Sequence, residues 1–404
     1  MLTAIPCLLS ICCVGGPQQP QAKASLHGQD LVPYIHLDAA RRVAQLRDGG
    51  ESGNVIVVPL GISTAAITMS QVVGTELEAA LLSPYTGGGH TVATAIPRLQ
   101  RLIRELRKRG GEELRIGGRL VVSPDLELHS SVTRLVTDLG WQLQRGRTRK
   151  ELLSMACDVP GVPGLTHAKG QDLSKSLRAS DGRGDRGMVA DLPEGVDRIA
   201  VSWFGAKLAW QDPFEKSNSQ LGAFRPAKDQ RIFATFMKRK GNCLIGESAD
   251  FRVLRLPLRE KGFAVDFLLP DGYLDFEALR GLLAQAIASG DSMLPKLEPS
   301  RVTMILPKVD AQARWNLMER AGQNGGGRFL AGTQIAAFGM NEEGVGVGSV
   351  TMVSSAPSTS RRRKVFHADR PFVAIVRDLE TGLVVAAAAI ADPGTGGAMN
   401  RRKR

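Results

Sequence analysis

Apolar and polar positions along this chain alternate in two rhythms, one repeating every three to four residues and one every second residue, and the two predict interleaved helices and strands. Asp38 to Arg47 has the helical rhythm, and Asn54 to Val58 is a short apolar strand. Pro59 then opens a helix whose Ile62, Ala65, Ala66, Met69 and Val73 recur at helical spacing, since proline is tolerated in a first turn. A sharper amphipathic helix is predicted after Pro97. Its apolar face holds Leu99, Leu102, Ile103 and Leu106, and its other face Arg98, Arg101, Arg104, Lys108 and Arg109. Strands are predicted at residues 119–122, 198–202, 252–256, 264–269 and 302–306. The apolar runs 372–376 and 383–391, joined by Glu380-Thr381-Gly382, are predicted as a β-hairpin.

One stretch fits neither core nor ordinary loop. An acidic pair and a glycine, Glu342-Glu343-Gly344, precede an uncharged run from Val345 to Thr359, then the basic block Arg361-Arg362-Arg363-Lys364. From Val345 to Ala356 there is no charge and no proline, and Val345, Val347, Ser349, Thr351 and Val353 occupy alternate positions, so the segment is able to pair as a strand. An exposed β-capable stretch is an aggregation hazard, so a chain that keeps one either buries it at once or holds it ready to pair later.

The 404 residues are 43% hydrophobic and 23% charged, which describes a soluble globular chain long enough for one large core or two to three smaller ones. A net charge of +12 favours polyanionic partners without choosing among nucleic acid, polysaccharide and membrane surface. The first 22 residues hold an apolar stretch from Leu2 to Val14 and small residues near Gly15-Gly16 and Ala22; they are read as a signal peptide, and the protein as secreted, although no basic residue precedes the stretch. Cys157 and Cys243 would remain after its removal, too few for a disulfide framework and without metal-ligand spacing. No metal or cofactor is expected. No later segment reaches the apolar length of a membrane span, so membrane insertion is not expected. Residues 180–187 are glycine-rich and charged and contain Arg183-Gly184-Asp185, a tripeptide that chance alone would supply; the tail 394–404 is expected to lack structure.

Catalytic signatures are absent: no Gly-x-Ser-x-Gly, no His-Glu-x-x-His, no Cys-x-x-Cys and no phosphate-binding loop ending in Gly-Lys-Ser/Thr. Gly344-Val345-Gly346-Val347-Gly348 lacks the full nucleotide fingerprint, and β-branched residues follow it where a helix should begin. An enzyme is therefore not expected. Nucleic-acid binding is not expected either, because no pattern of stacking aromatics accompanies the basic residues.

Five stretches in series carry a family resemblance. They are residues 201–214, ending in Trp210 and Pro213-Phe214; Val253 to Asp271, with Leu256-Pro257-Leu258 and Leu268-Leu269-Pro270-Asp271; Leu306-Pro307-Lys308; Asn341-Glu342-Glu343-Gly344; and Ala368-Asp369-Arg370-Pro371-Phe372 on to Asp392-Pro393. Over roughly residues 30–393 the chain resembles a serpin, a serine protease inhibitor. The resemblance implies a mixed α/β fold with a large, mainly antiparallel central sheet, two smaller sheets, surrounding helices and an exposed reactive loop, in one domain (23–393) that is a monomer. It also implies a metastable fold whose loop is cut by a serine protease, traps it as an acyl-enzyme and inserts into the central sheet as a new strand.

On this resemblance Glu342, Glu343, Gly344 and Val345 form the loop hinge. The family's usual loop length, counted from Gly344, puts the reactive bond at Ser358-Thr359; a shift of one residue would put Pro357 there, and a cut after Arg361 is the alternative. The alternate positions Val345, Val347, Ser349, Thr351 and Val353 carry no charge, so insertion imposes no large burial penalty, though Val345 and Val347 are bulkier than the family's usual residues there. Where the family's sheet opens, its polar network is replaced: the matching positions here are Val58, Gly61, Ser202 and Gln334. In some serpins the helix matching residues 98–109 binds heparin-like sulfated polysaccharide, which makes Arg98, Arg101, Arg104, Lys108 and Arg109 a candidate site; a solvated basic face is the ordinary alternative. A non-inhibitory binding or carrier protein is thus the second function the residues allow.

Overall fold

The computed structural model describes residues 31–46, 53–71, 92–157, 197–316, 333–345 and 364–394. Residues 1–22, Val73, Arg183-Gly184-Asp185, Val347 to Val353, Ser358, Thr359 and Arg361 lie outside the described residues.

Helix α1 (Val32–Ala44) begins earlier than its periodicity suggests, because Pro33 stands in its first turn, where its fixed φ favours helix and its missing N–H is not needed. Strand β1 (Val55–Val57) runs directly into α2 (Pro59–Ser70), with Pro59 at the first turn as expected. The helix is buried on nearly every side rather than along one stripe, with Ser63, Thr64 and Thr68 inside. Helix α3 (Val92–Gly110) corrects the expected boundary: Pro97 lies inside it instead of opening it. Leu99, Leu102, Ile103 and Leu106 are each at most 1% exposed, and burial of that face holds the helix through the proline.

Strand β2 (Leu114–Val122), helix α4 (Ser130–Asp138), strand β3 (Gln142–Arg145) and helix α5 (Arg149–Cys157) follow, then strands β4 (Arg198–Ala206), β5 (Leu208–Ala209), β6 (Gln220–Phe224), β7 (Ile232–Glu247), β8 (Phe251–Pro257) and β9 (Phe263–Pro270). Helix α6 (Phe276–Ser289) is capped by Asp275, which accepts from the Ala278 N–H at 2.8 Å. Strands β10 (Glu298–Pro307), β11 (Val309–Asn316), β12 (Thr333–Met340), β13 (Gly344–Val345), β14 (Lys364–His367), β15 (Phe372–Asp378) and β16 (Val384–Ile390) complete the chain, the last two as the expected hairpin.

Nine strands form the largest sheet, in the order β1-β16-β15-β9-β8-β7-β10-β14 with β6 beside β7. Only β10 and β14 pair in parallel within it. The 16-residue β7 is shared between two parts of this sheet, pairing with β6 at one end and β8 at the other. Two smaller sheets, β3-β2-β4 and β11-β12-β13-β5, are the halves of what the resemblance implies is one central sheet; among the described residues no ladder joins β4 to β12. One large core underlies most of this, with a second small cluster of Val121, Leu152 and Ile199 between β2, α5 and β4; the large core encloses an ion network in which Asp266, fully buried, accepts from Arg377 at 2.7 Å and from Arg255 at 2.6 Å, tying β15, β9 and β8 together.

Candidate functional site

The segment expected to be the loop hinge, Glu342 to Val345, is held by the segment that follows β4. Val345 pairs with Leu208 and Gly344 with Ala209, while Val345 also faces Met340 of β12, so the first two residues beyond the acidic pair already lie as a strand between β12 and β5. Three further bonds grip the backbone just before them. Trp210 donates its amide to Glu343 O and its indole Nε1 to Asn341 O, both at 2.9 Å, and Phe214 donates its amide to Glu342 O at 2.8 Å. The Asn341 side chain closes the turn, accepting from the amides of Glu343 (2.9 Å) and Gly344 (3.2 Å).

Glycine at 344 serves close approach rather than an unusual backbone angle. A Cβ there would sit 2.1 Å from the carbonyl oxygen of Leu208, a backbone atom that has no room to yield. Val345 next to it is 8% exposed, an inward-facing position.

The acidic pair divides its roles. Glu342 is 2% exposed, accepts from Lys308 Nζ at 2.7 Å and from Ser219 Oγ at 2.6 Å. Burial alone would push its carboxyl up, but these two bonds and the Lys308 charge outweigh it and hold it below the usual carboxylate range. Glu343 is partly exposed and meets Lys216 Nζ at 2.9 Å. Periodicity pointed to neither Lys308 nor Ser219. Lys308 stands in the Leu306-Pro307-Lys308 stretch already singled out, but its partner is far away in the chain.

The four positions that the resemblance sets at the sheet opening, Val58, Gly61, Ser202 and Gln334, come together. A Cβ built on Gly61 would stand 3.5 Å from Ser202 Oγ, 3.7 Å from Val58 Cγ1 and 3.9 Å from Gln334 Nε2. Ser202 on β4 donates to Gly61 O at 2.6 Å. Gln334 on β12 accepts from the Val58 amide at 3.2 Å and donates to Val58 O at 3.3 Å. Each strand is thus tethered to the first turn of α2 by a side chain reaching backbone. Parting β4 from β12 requires loss of at most one tether, not of a shared ladder.

The five basic residues of α3 do not share one environment. Arg101, Arg104 and Lys108 are exposed and Arg98 is half-buried. Arg109 is turned inward: its guanidinium grips the fully buried Asp378 with both Nη atoms, Nη2 to Oδ2 at 2.6 Å, and lies 5.7 Å over the Phe263 ring. It joins the helix end to β15 and leaves the exposed set, because a buried carboxylate claims its donors. Arg107 also points in, donating to Ile116 O and Leu139 O.

Comparison with known proteins places these features in context. The family description "Serpin (serine protease inhibitor)" matches residues 191–323. Among curated relatives, a putative serpin-Z5 of Oryza sativa subsp. japonica is 26% identical over 91% of this chain and 90% of its own length, and serpin-Z1 of Arabidopsis thaliana is 23% identical over 57% of this chain. The match spans 64% of the Arabidopsis protein. Among solved structures, human thyroxine-binding globulin in complex with its ligand superposes with a TM-score of 0.68 at 14% identity, covering 91% of this chain and all of that one. Human glycosylated kallistatin follows with a TM-score of 0.67 at 16% identity, over 91% and 99%.

Proposed function

We propose, on the premise that the chain belongs to the serpin family, that it inhibits a serine protease by offering residues 346–363 as bait, with the reactive bond at Ser358-Thr359. The protease serine would attack the Ser358 carbonyl and release the amine of Thr359. The freed segment would then extend the strand that β13 has begun, between β12 and β4. One observation carries this reading: Val345 is already strand-paired on both sides and Gly344 on one, at the mouth of a sheet whose β4 and β12 share no ladder among the described residues. Each residue added below it would gain ladder bonds worth about 1 kcal/mol net, and alternate inward side chains from Val345 to Val353 bring no charge with them. Residues 1–22 belong to the same proposal as the leader of a secreted protein.

The test is incubation with elastase, chymotrypsin and trypsin. A band at the summed mass that survives boiling in detergent, with mass spectrometry locating the cut, is the expected result; a cut after Arg361 would move the reactive bond there. Cleavage without complex, and without a rise in melting temperature of the cut protein, would refute inhibition.

That refuting outcome favours the second reading, a binding protein for heparin-like sulfated polysaccharide. The observation behind it is the exposed row Arg101, Arg104 and Lys108, spaced for one helix face. Elution of the protein from immobilised heparin only well above physiological salt would support it.

A further inference from the structure

A second basic surface lies beside the loop's return strand, on the sheet formed by β7, β10 and β14. Directly paired residues of neighbouring strands share a face. Lys240 pairs with Thr303 and that with Val365; Lys238 pairs with Ile305 and that with His367; Arg301 pairs with Asn242, one row further along. Lys238, Lys240 and Arg301 therefore stand on one face, Lys240 about 7 Å from Lys238 along β7 and about 7 Å from Arg301 as its diagonal neighbour, by strand geometry. All three are exposed, as is Lys364 at the start of β14, and none of the four has an ion pair among the described residues.

The contrast with the opposite face of β7 is informative. Arg239, between the two lysines, points the other way, where Asp212 meets it at 3.1 Å and Phe214 lies under it at 5.3 Å. The fold pairs the cation it uses and leaves the flanking two unpaired. Along this stretch β7 bonds only to β10, since its ladder with β6 ends at Phe236 and that with β8 begins at Leu244, so the two lysines also keep that open side of β7 from pairing. Side-by-side unpaired cations repel one another, so an anionic partner is what this face fits.

Its position selects the partner. From Thr359 to Lys364 the chain spans at most about 18 Å even when extended. A protease domain is about 40 Å across, so one seated on the proposed reactive bond must overhang the start of β14 and the face beside it. We propose that Lys238, Lys240 and Arg301 form an accessory docking surface for an acidic patch bordering the active site of the target protease. This rests on the inhibitor reading for the identity of the partner. The face would act in the encounter, before any bond is cut, by steering and holding a protease of the right charge.

Trypsin serves as the probe in its anionic and cationic isoforms, each with its nucleophilic serine replaced by alanine, so that binding is read without acylation or loop insertion. A chain that turned out to be cleaved as a plain substrate would still report on the face. The variant is Lys238→Ala/Lys240→Ala/Arg301→Ala, with Lys261→Ala as a control elsewhere on the surface and thermal denaturation to verify the fold. The triple variant is expected to bind the anionic isoform on the order of tenfold more weakly at low salt, with the difference vanishing toward 0.5 M salt, roughly the range where screening removes such steering. The cationic isoform should show no such loss. Equal binding of the anionic isoform by parent and triple variant would overturn the proposal. So would an equal loss for both isoforms, or a loss of heparin affinity alone, which would make the face a polysaccharide site.

Discussion

Replacing Gly344 by alanine tests the hinge geometry most directly. The new Cβ would fall 2.1 Å from the Leu208 carbonyl oxygen, far inside contact distance, so β13 and β5 have to separate. Separation gives up the paired positions Gly344 with Ala209 and Val345 with Leu208, about two ladder bonds at about 1 kcal/mol each. It also re-exposes the Val345 side chain, worth about 1.5 kcal/mol. The native hinge is therefore held in place by about 3.5 kcal/mol, which for a chain of this length corresponds to a melting temperature lower by about 4 °C. The local signature is Trp210, 1% exposed and bonded through both of its N–H groups to residues 341 and 343. Expulsion of the hinge should free those bonds, shift the Trp210 emission to longer wavelength and speed exchange of its amide. In a protease assay the variant should be consumed as substrate with a larger share of unproductive cleavage, because the strand no longer begins inside the sheet. An unchanged Trp210 amide exchange rate and melting temperature would refute the close-approach argument.

Four other outcomes follow from contacts elsewhere in the fold. Lys308→Ala should cost about 2 kcal/mol, less than the full penalty for orphaning a buried carboxylate because Lys308 is partly exposed, and chemical denaturation would measure it. Since the Glu342 carboxyl is held below its ordinary value of 4.5, its contribution is present above that pH and lost as pH falls further; Glu342→Gln should flatten this part of the stability curve. Arg104→Ala should lower the salt needed to elute the protein from heparin with no effect on melting, whereas Arg109→Ala should destabilise by about 3 kcal/mol by leaving Asp378 buried without its cation. His36, buried under β16 and accepting from the Val384 amide at 2.8 Å, has its pKa pushed down to about 3 by burial and by the Arg377 charge. An unfolded histidine takes up its proton near pH 6.5, so stability should fall by roughly 1.4 kcal/mol per pH unit between there and pH 3, and His36→Gln should remove that slope.

Much of the strand content was legible as short apolar runs, because a strand buried on both faces needs no partner information to announce itself. The β15–β16 hairpin and strands β8 to β10 came through on that ground. Helices α4, α5 and α6 are not legible in the sequence, and neither is β7. In β7 the sequence alternates over Lys238, Arg239 and Lys240, and charged side chains on both faces hide a strand whose two halves lie in different surroundings. At the candidate site, the acidic pair and its glycine were visible as an arrangement in the chain, and so were the four substituted positions. What held them was not: Trp210 and Phe214 lie some 130 residues from the hinge they grip, and nothing in local spacing encodes that contact.

By itself, then, the amino-acid sequence determined the local quantities: which segments are apolar enough to be strands, where a helix face is basic, and that residues 345 to 359 are uncharged. Those depend only on neighbours in the chain. The tertiary structure alone decided which of those residues are free to act. It took Arg109 out of a basic row by setting the buried Asp378 beneath it, gave Gly344 a steric reason in the Leu208 carbonyl, and joined Gln334 and Ser202 to a single turn of α2 in place of each other. The physical reason is common to all three: burial makes each polar group find a partner, and which partner is within reach is set by how distant segments pack.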